Sequence, residues 1–305
     1  MLEYLYVCRH GFRTNWTNSG MMKGPTGVIR DFPLTVYGHT QAAELGAFLS
    51  SPDRTAPHPP PERVISSPFI RCVATSAPTA AALTRAGKNG AIAIDHGVME
   101  YYGTTPANTG LHPRPAPNGA ADLDQFYPGM LDEEYGSTLY PSRHGERVRD
   151  VFARAELFAD TWVGRMDEEG VRSAVVFSHA AIVIALGRVL TGDLSLQVSA
   201  ACAATSLYRR KPGTLGGAGD WERVYDGRAD YLPNGAERDW SWEQVGIETL
   251  DDGDTVWDEG DMQPYTPADD LPVGLAPGMD KYLRGRSVVY DPPKEATIRP
   301  PVSRL

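Results

Sequence analysis

The chain has 305 residues, 41% of them hydrophobic and 22% charged, with a formal net charge of −10. This is the composition of a globular protein long enough for one large domain with insertions, and its acidic balance argues against a protein that tracks nucleic-acid phosphates, whose footprint is a basic face. No apolar stretch approaches the roughly 18 residues of a membrane-spanning helix, so neither direct nucleic acid nor membrane is an expected partner.

Residues 2 to 11 (LEYLYVCRHG) read as a short apolar strand that ends in Arg9, His10 and Gly11. The segment lacks the basic region, apolar core and cleavage site of a signal peptide, so the cytoplasm or nucleus is the expected location. Ligands of α/β sheets bind outside the carboxyl ends of the strands. This strand end offers a guanidinium fork suited to phosphate, a nucleophilic imidazole, and a glycine that lets backbone approach a ligand.

After a loop to Asp31, Thr35 is a plausible cap for a helix from about Gly38 to Leu49, whose apolar side is Ala42, Leu45, Ala47, Phe48 and Leu49. Ser51 to Pro61 is a Pro-rich surface turn. Arg63 to Ser66 makes a second strand, Ser67 to Thr75 runs on into another helix carrying Arg71, and Ala91 to Ile94 is a third strand that ends before Glu100. Residues 103 to 142 are rich in Pro, Gly, Asn and Asp without periodicity, the pattern of a lid-like insertion.

A second Arg-His-Gly stands at Arg143, His144 and Gly145, with no strand before it. It leads into a stripe of Val148, Val151, Phe152, Ala155, Phe158 and Trp162 at helical spacing, so a helix over about Glu146 to Met166 follows and His144 reads as an exposed or helix-start residue. Val171 to Phe177 is a strand, Ser178 and His179 sit at its carboxyl end, and Ala180 to Leu190 is an apolar helix stopped near Gly192. His179 thus repeats the placement of His10. Late strands at Ala203 to Arg209 and Trp221 to Tyr225 flank a glycine-rich hairpin loop. The alternation of strands and helices implies a three-layer α/β/α fold with a mostly parallel sheet.

Residues 239 to 280 hold twelve acidic residues and no Lys or Arg, whereas 281 to 305 hold six basic and two acidic ones. Trp240, Trp242, Trp257, Tyr265 and Tyr282 give this region an aromatic content foreign to disorder. We expect a catalytic domain over 1–245 and an extension over 246–305 that is ordered to about residue 290. It would pack on the main domain or on a second copy of the chain, a homodimer, with Lys281, Arg284 and Arg286 finding acidic partners. Cys8, Cys72 and Cys202 have no metal-binding spacing, and no phosphate-binding GxxxxGK[ST] run occurs.

Arg9-His10-Gly11 after the first strand, Arg71 in SSPFIRCVAT, Glu100 after the third strand and Ser178-His179 after a late strand together resemble the histidine phosphatase superfamily in its phosphoglycerate mutase-like branch. DFPLTVYGHTQAAELG at 31 to 46 and SRHGERV at 142 to 148 look like further segments of that family, and the likeness covers about residues 1 to 245. GAERDWSW at 235 to 242 is similar to the closing segment of fungal relatives of the TFIIIC phosphatase-like subunit, which in turn resemble the Sts-type phosphatases.

The resemblance implies a phosphoric monoester hydrolase without metal or cofactor. His10 would be the nucleophile and form a phosphohistidine, with Arg9, Arg71 and His179 binding the phosphoryl oxygens and Glu100 moving the proton. Phe12, Arg13 and Thr14 depart from the mutase pattern, and Arg13 looks like the extra substrate-binding arginine of the Sts-type enzymes, which favours hydrolysis. Substrates would be phosphorylated small molecules or phosphoproteins. The other reading is an interaction subunit of a TFIIIC-like transcription factor complex in which the fold is retained with little or no catalysis. Residue by residue, Arg71 could instead be a surface helix residue, Glu100 a solvated loop carboxylate and His179 a satisfied core histidine.

Overall fold

Along the first strand, β1 (Tyr4–Arg9), Leu5 and Val7 enter one apolar cluster while Tyr6 and Cys8 enter another. The same alternation recurs at β6 (Ser173–Ser178), where Val176 joins the first cluster and Val175 and Phe177 the second. A strand that is apolar on both faces must be covered on both, and this two-sided demand builds the layers. The computed structural model describes residues 1–17, 24–26, 31–101, 103–104, 109–110, 123–142, 144–245, 263–264 and 273–292.

The remaining elements are α1 (Val36–Leu49), α2 (Pro52–Thr55), β2 (Arg63–Ser66), α3 (Ile70–Arg85), β3 (Ile92–Ile94), β4 (Thr109–Gly110), β5 (Leu139–Tyr140), α4 (Val148–Glu168), α5 (Ala180–Thr191), β7 (Thr205–Arg210), β8 (Trp221–Arg228), β9 (Gln263–Pro264) and β10 (Gly274–Leu275). A six-stranded sheet runs β3-β2-β6-β1-β7-β8. β3, β2, β6 and β1 are parallel, and the β7–β8 hairpin closes one edge antiparallel. Phe48 of α1 and Leu83 of α3 pack on one face; Phe158 and Trp162 of α4 and Ile182 of α5 pack on the other. This is the three-layer α/β/α arrangement.

The topology also places a crevice. β1 and β6 are parallel neighbours, yet the helix after β1 covers one face and the helix after β6 the opposite face. Outgoing chains that part in this way leave a cleft at the carboxyl ends of the two strands, the usual ligand position in such sheets.

Local signals fix the helix ends. Thr35 caps α1 by accepting a hydrogen bond from Gly38 N at 2.9 Å, and Gly192, in the left-handed region at φ 75°, ends α5. α1 starts two residues before the expected Gly38, because a capping Thr35 makes Val36 the first helical residue. α4 starts at Val148, later than the expected Glu146, because Arg147 is the N-cap, extended at φ −75° and ψ 164°, with its N–H donating to Asp150 Oδ2 at 2.9 Å.

Of the extension, residues 263–264 and 273–292 are described, and the second stretch contacts α4. β10 pairs antiparallel with β5, and Tyr282 packs on Gly164, where an added Cβ would lie 3.1 Å from the tyrosine. Lys281 pairs with Glu168 (3.2 Å), Arg284 with Asp167 (2.9 Å), and Arg286 with Asp160 (3.3 Å) and Asp220 (2.7 Å). Much of the expected insertion, together with Arg143, Trp257 and Tyr265, lies outside the described residues. Among the described residues, no helix is long and apolar enough to cross a membrane.

Candidate active site

Arg9, the last residue of β1, is in register with Ser178, the last residue of β6, so His10 and His179 leave adjacent strands side by side with ring centroids 5.4 Å apart. The turn that follows is clamped between α1 and α3. Gly11 N donates to Thr75 Oγ1 (3.0 Å) and Phe12 N to Gln41 Oε1 (2.9 Å). A side chain at Gly11 has no room, because a Cβ there would lie 2.8 Å from Gly38 O.

His10 is 1% exposed, and its Nδ1 lies 2.7 Å from Gly11 O. A carbonyl only accepts, so Nδ1 carries the proton and Nε2 keeps its lone pair. Burial, then the positive charges of Arg71 and Arg9, hold the His10 pKa well below its ordinary value. A neutral imidazole with a free Nε2 is the nucleophilic form.

Arg71, fully buried in the first turn of α3, sets its Nη2 3.1 Å from His179 Nδ1 and 3.4 Å from Glu100 Oε2. His179 Nδ1 is also 3.2 Å from Glu100 Oε2, so its proton decides the pairing. Deprotonated, it accepts from Arg71; protonated, it donates to Glu100. Burial lowers the His179 pKa to about 4 against the pull of Glu100. For Glu100 burial pushes up, but His179, Arg71 and Arg13 together hold the carboxyl well below its usual range. Arg9 gives Nη1 to Ala200 O (2.6 Å) and to Arg238 O, while its buried Nε has no acceptor among the described residues. Arg13 stacks on Trp16, 4.7 Å from the ring centroid, and its charge is felt at His10, Glu100 and His179.

The structure therefore brings the buried Arg9, His10, Arg71 and His179 together with the partly exposed Glu100, with Arg13 beside them. His10, Glu100 and His179 also present ligand atoms within 4.8 Å of one another, a set able to close on a divalent ion. The guanidiniums that keep His10 unprotonated oppose a cation there and favour an oxyanion.

Several residues of the site carry no sequence signal of their own. Ser67 Oγ lies 2.8 Å from His179 Nε2 and holds that ring. Asp31 accepts from Ile70 N (2.8 Å) at the start of α3, and burial pushes its carboxyl up to about 6. Cys72 sits 3.4 Å from His179 Nε2, but burial pushes its thiol far up, so it is no rival nucleophile. Trp16 stacks over His10 with centroids 6.0 Å apart, a contact made across a loop that no periodicity announces.

Comparison with known proteins supplies the family. The sequence profile of the histidine phosphatase superfamily (branch 1) matches residues 5–211. The chain is similar to the transcription factor tau 55 kDa subunit of Saccharomyces cerevisiae, 30% identical over 273 residues, which cover 80% of this chain and 60% of that protein. Among solved structures it is similar to the ecdysone phosphate phosphatase of Bombix mori, determined with tungstate, at TM-score 0.56 and 18% identity over 80% of this chain and 99% of that one.

Proposed function

The chain belongs to the histidine phosphatase superfamily, and from that premise we propose that it is a metal-independent phosphomonoesterase working through a phosphohistidine on His10. The observation that carries this reading is His10 itself, kept neutral with Nδ1 tied to Gly11 O among Arg71, Arg9 and His179.

His10 Nε2 attacks phosphorus, the bond to the leaving oxygen breaks, and Arg9, Arg71 and His179 stabilise the charge on the equatorial oxygens. Glu100 is ionised in the unliganded site. A phosphoryl dianion draws Arg71 and His179 onto its own oxygens and sets negative charge beside the carboxyl, which raises its pKa toward that of a usable acid. Glu100 then protonates the leaving oxygen, and in the second half takes the proton of the water that attacks phosphohistidine, releasing phosphate and His10. The guanidiniums supply the charge that a metal ion would otherwise bring.

The test is hydrolysis of a panel of phosphomonoesters with EDTA present, with quench-trapping of an acid-labile phosphoenzyme. Wild type should turn over and trap label; His10→Ala should do neither while keeping its fold. Wild-type turnover in folded His10→Ala, or dependence on added magnesium or zinc, would end the proposal.

A second reading rests on the similarity to the yeast transcription factor subunit, of which this chain spans about 60% of the length. There the domain would be a nuclear interaction subunit of a transcription factor complex with little or no catalysis. Absence of turnover across the panel, together with stable co-purification in such a complex, would favour it.

A further inference from the structure

Two guanidiniums beside the site, the half-buried Arg13 and the exposed Arg238, are not used by this chemistry, and Arg238 is the one that faces solvent. Arg238 stands between two anchored residues. Glu237 accepts from Tyr37 Oη and from Gln41 Nε2 (3.2 Å), and Asp239 accepts from Ala200 N (2.7 Å) and Ser199 Oγ (3.0 Å). Both neighbouring carboxylates are thus committed elsewhere. The Arg238 backbone, at φ 55°, turns its carbonyl onto Arg9 Nη1. Its exposed side chain rests 5.3 Å from the Phe12 ring centroid and 5.2 Å from that of Trp16, and no carboxylate pairs with it among the described residues. Aromatic faces attract a guanidinium without neutralising it, so the charge stays available. Trp16 in turn stacks over His10.

We propose that Arg238, held on Phe12 and Trp16, is a leaving-group subsite for a second anion, a carboxylate or phosphate, carried by the same molecule as the scissile phosphate. This rests on the phosphatase reading above. Arg9, Arg71 and His179 serve the phosphoryl group, Arg13 sits half-buried beside them, and Arg238 is the exposed cation beyond both. A leaving group without charge leaves it in water; an anionic one pairs with it over an apolar surface, where the pairing is stronger than in bulk solvent.

The experiment compares phenyl phosphate with 3-carboxyphenyl phosphate at low ionic strength in wild type, Arg238→Gln and Arg238→Lys. Wild type should prefer the carboxylated ester by about fivefold in kcat/KM, the size of one partly exposed ion pair. Arg238→Gln should bring the ratio to about one, and Arg238→Lys should keep part of it because the charge is retained. Equal ratios in wild type and Arg238→Gln overturn the proposal. A matched pair of phosphotyrosine peptides with Asp or Asn beside the phosphoresidue separates the sources, the larger ratio naming peptide or small molecule. If wild type hydrolyses neither ester, the phosphatase reading alone fails. Calorimetric affinities for the same two esters then decide the subsite by the same ratio.

Discussion

His10 and Gly11 follow the end of a parallel strand, whereas His144 and Gly145, from a second Arg-His-Gly, lie in a turn ahead of α4. Gly145 bridges Thr104, where an added Cβ would lie 1.7 Å from Gly103 O, and Glu146 N donates to that same carbonyl at 3.0 Å. The Glu146 side chain meets Arg154 through paired bonds of 2.7 and 2.8 Å and accepts from Tyr290 Oη of the extension (2.8 Å). Arg154 donates onward to Gly97 O (2.8 Å) and Met99 O (2.9 Å). The second copy therefore opens a bracket around Glu100, while the first supplies the group that reacts. Identical letters acquire opposite work because only one copy leaves a strand at the crevice, among buried cations.

The sharpest break between the two regions should come at Glu100, the residue that the second region holds for the first. With Glu100→Gln, an alkyl phosphate, whose leaving oxygen needs a proton, should lose roughly a hundred- to a thousandfold in kcat. p-Nitrophenyl phosphate, whose leaving group departs as an anion, should lose only about threefold by the same reasoning. Equal losses on both esters would remove Glu100 from the role of acid.

Next in size is the bracket itself. Arg154 is fully buried and Glu146 is 3% exposed, so Arg154→Met leaves a buried carboxylate without its cation. The expected cost is about 3–5 kcal/mol in denaturant unfolding, much of it recovered in the Glu146→Leu, Arg154→Met double variant, because breaking a buried pair costs more than replacing it. A single variant as stable as wild type would show that the pair is not a keystone of this region.

Much of this architecture is legible in the chain. Residues 63–66 form β2 with the bounds expected from RVIS, and Thr35 caps α1, because strand alternation and capping are local rules. His10 and His179 are readable because each stands just after a strand, and Arg71 because SSPFIRCVAT carries it into the helix that follows β2. Trp16 and Arg238 are not: they meet through a contact between residues more than 200 positions apart. Arg238 lies in GAERDWSW, but nothing in that segment alone says which ring its side chain meets. The β4–β9 and β5–β10 pairs are likewise two-residue ladders set by chain return, with no alternation to read.

A smaller effect at the first copy is expected with pH. The His179 pKa falls from 6.5 to about 4, and that of His10 falls too, chiefly through burial. The unfolded chain therefore binds protons below 6.5 that the native site refuses, and stability should decline as pH drops from 6.5 toward 4. His10→Ala should flatten part of that slope. A slope unchanged in His10→Ala would mean that His10 is not held neutral.

The smallest effect is predicted for His144→Ala. The half-buried His144 donates its amide to Ser142 Oγ at 3.1 Å, a bond that alanine keeps, and the φ of 80° that shapes the turn belongs to Gly145. Turnover should stay within about twofold of wild type, as for a substitution away from the reacting atoms. A collapse comparable to that expected for His10→Ala would mean that the imidazole at 144 reaches the substrate, and that the position after a strand end is not what distinguishes the two copies.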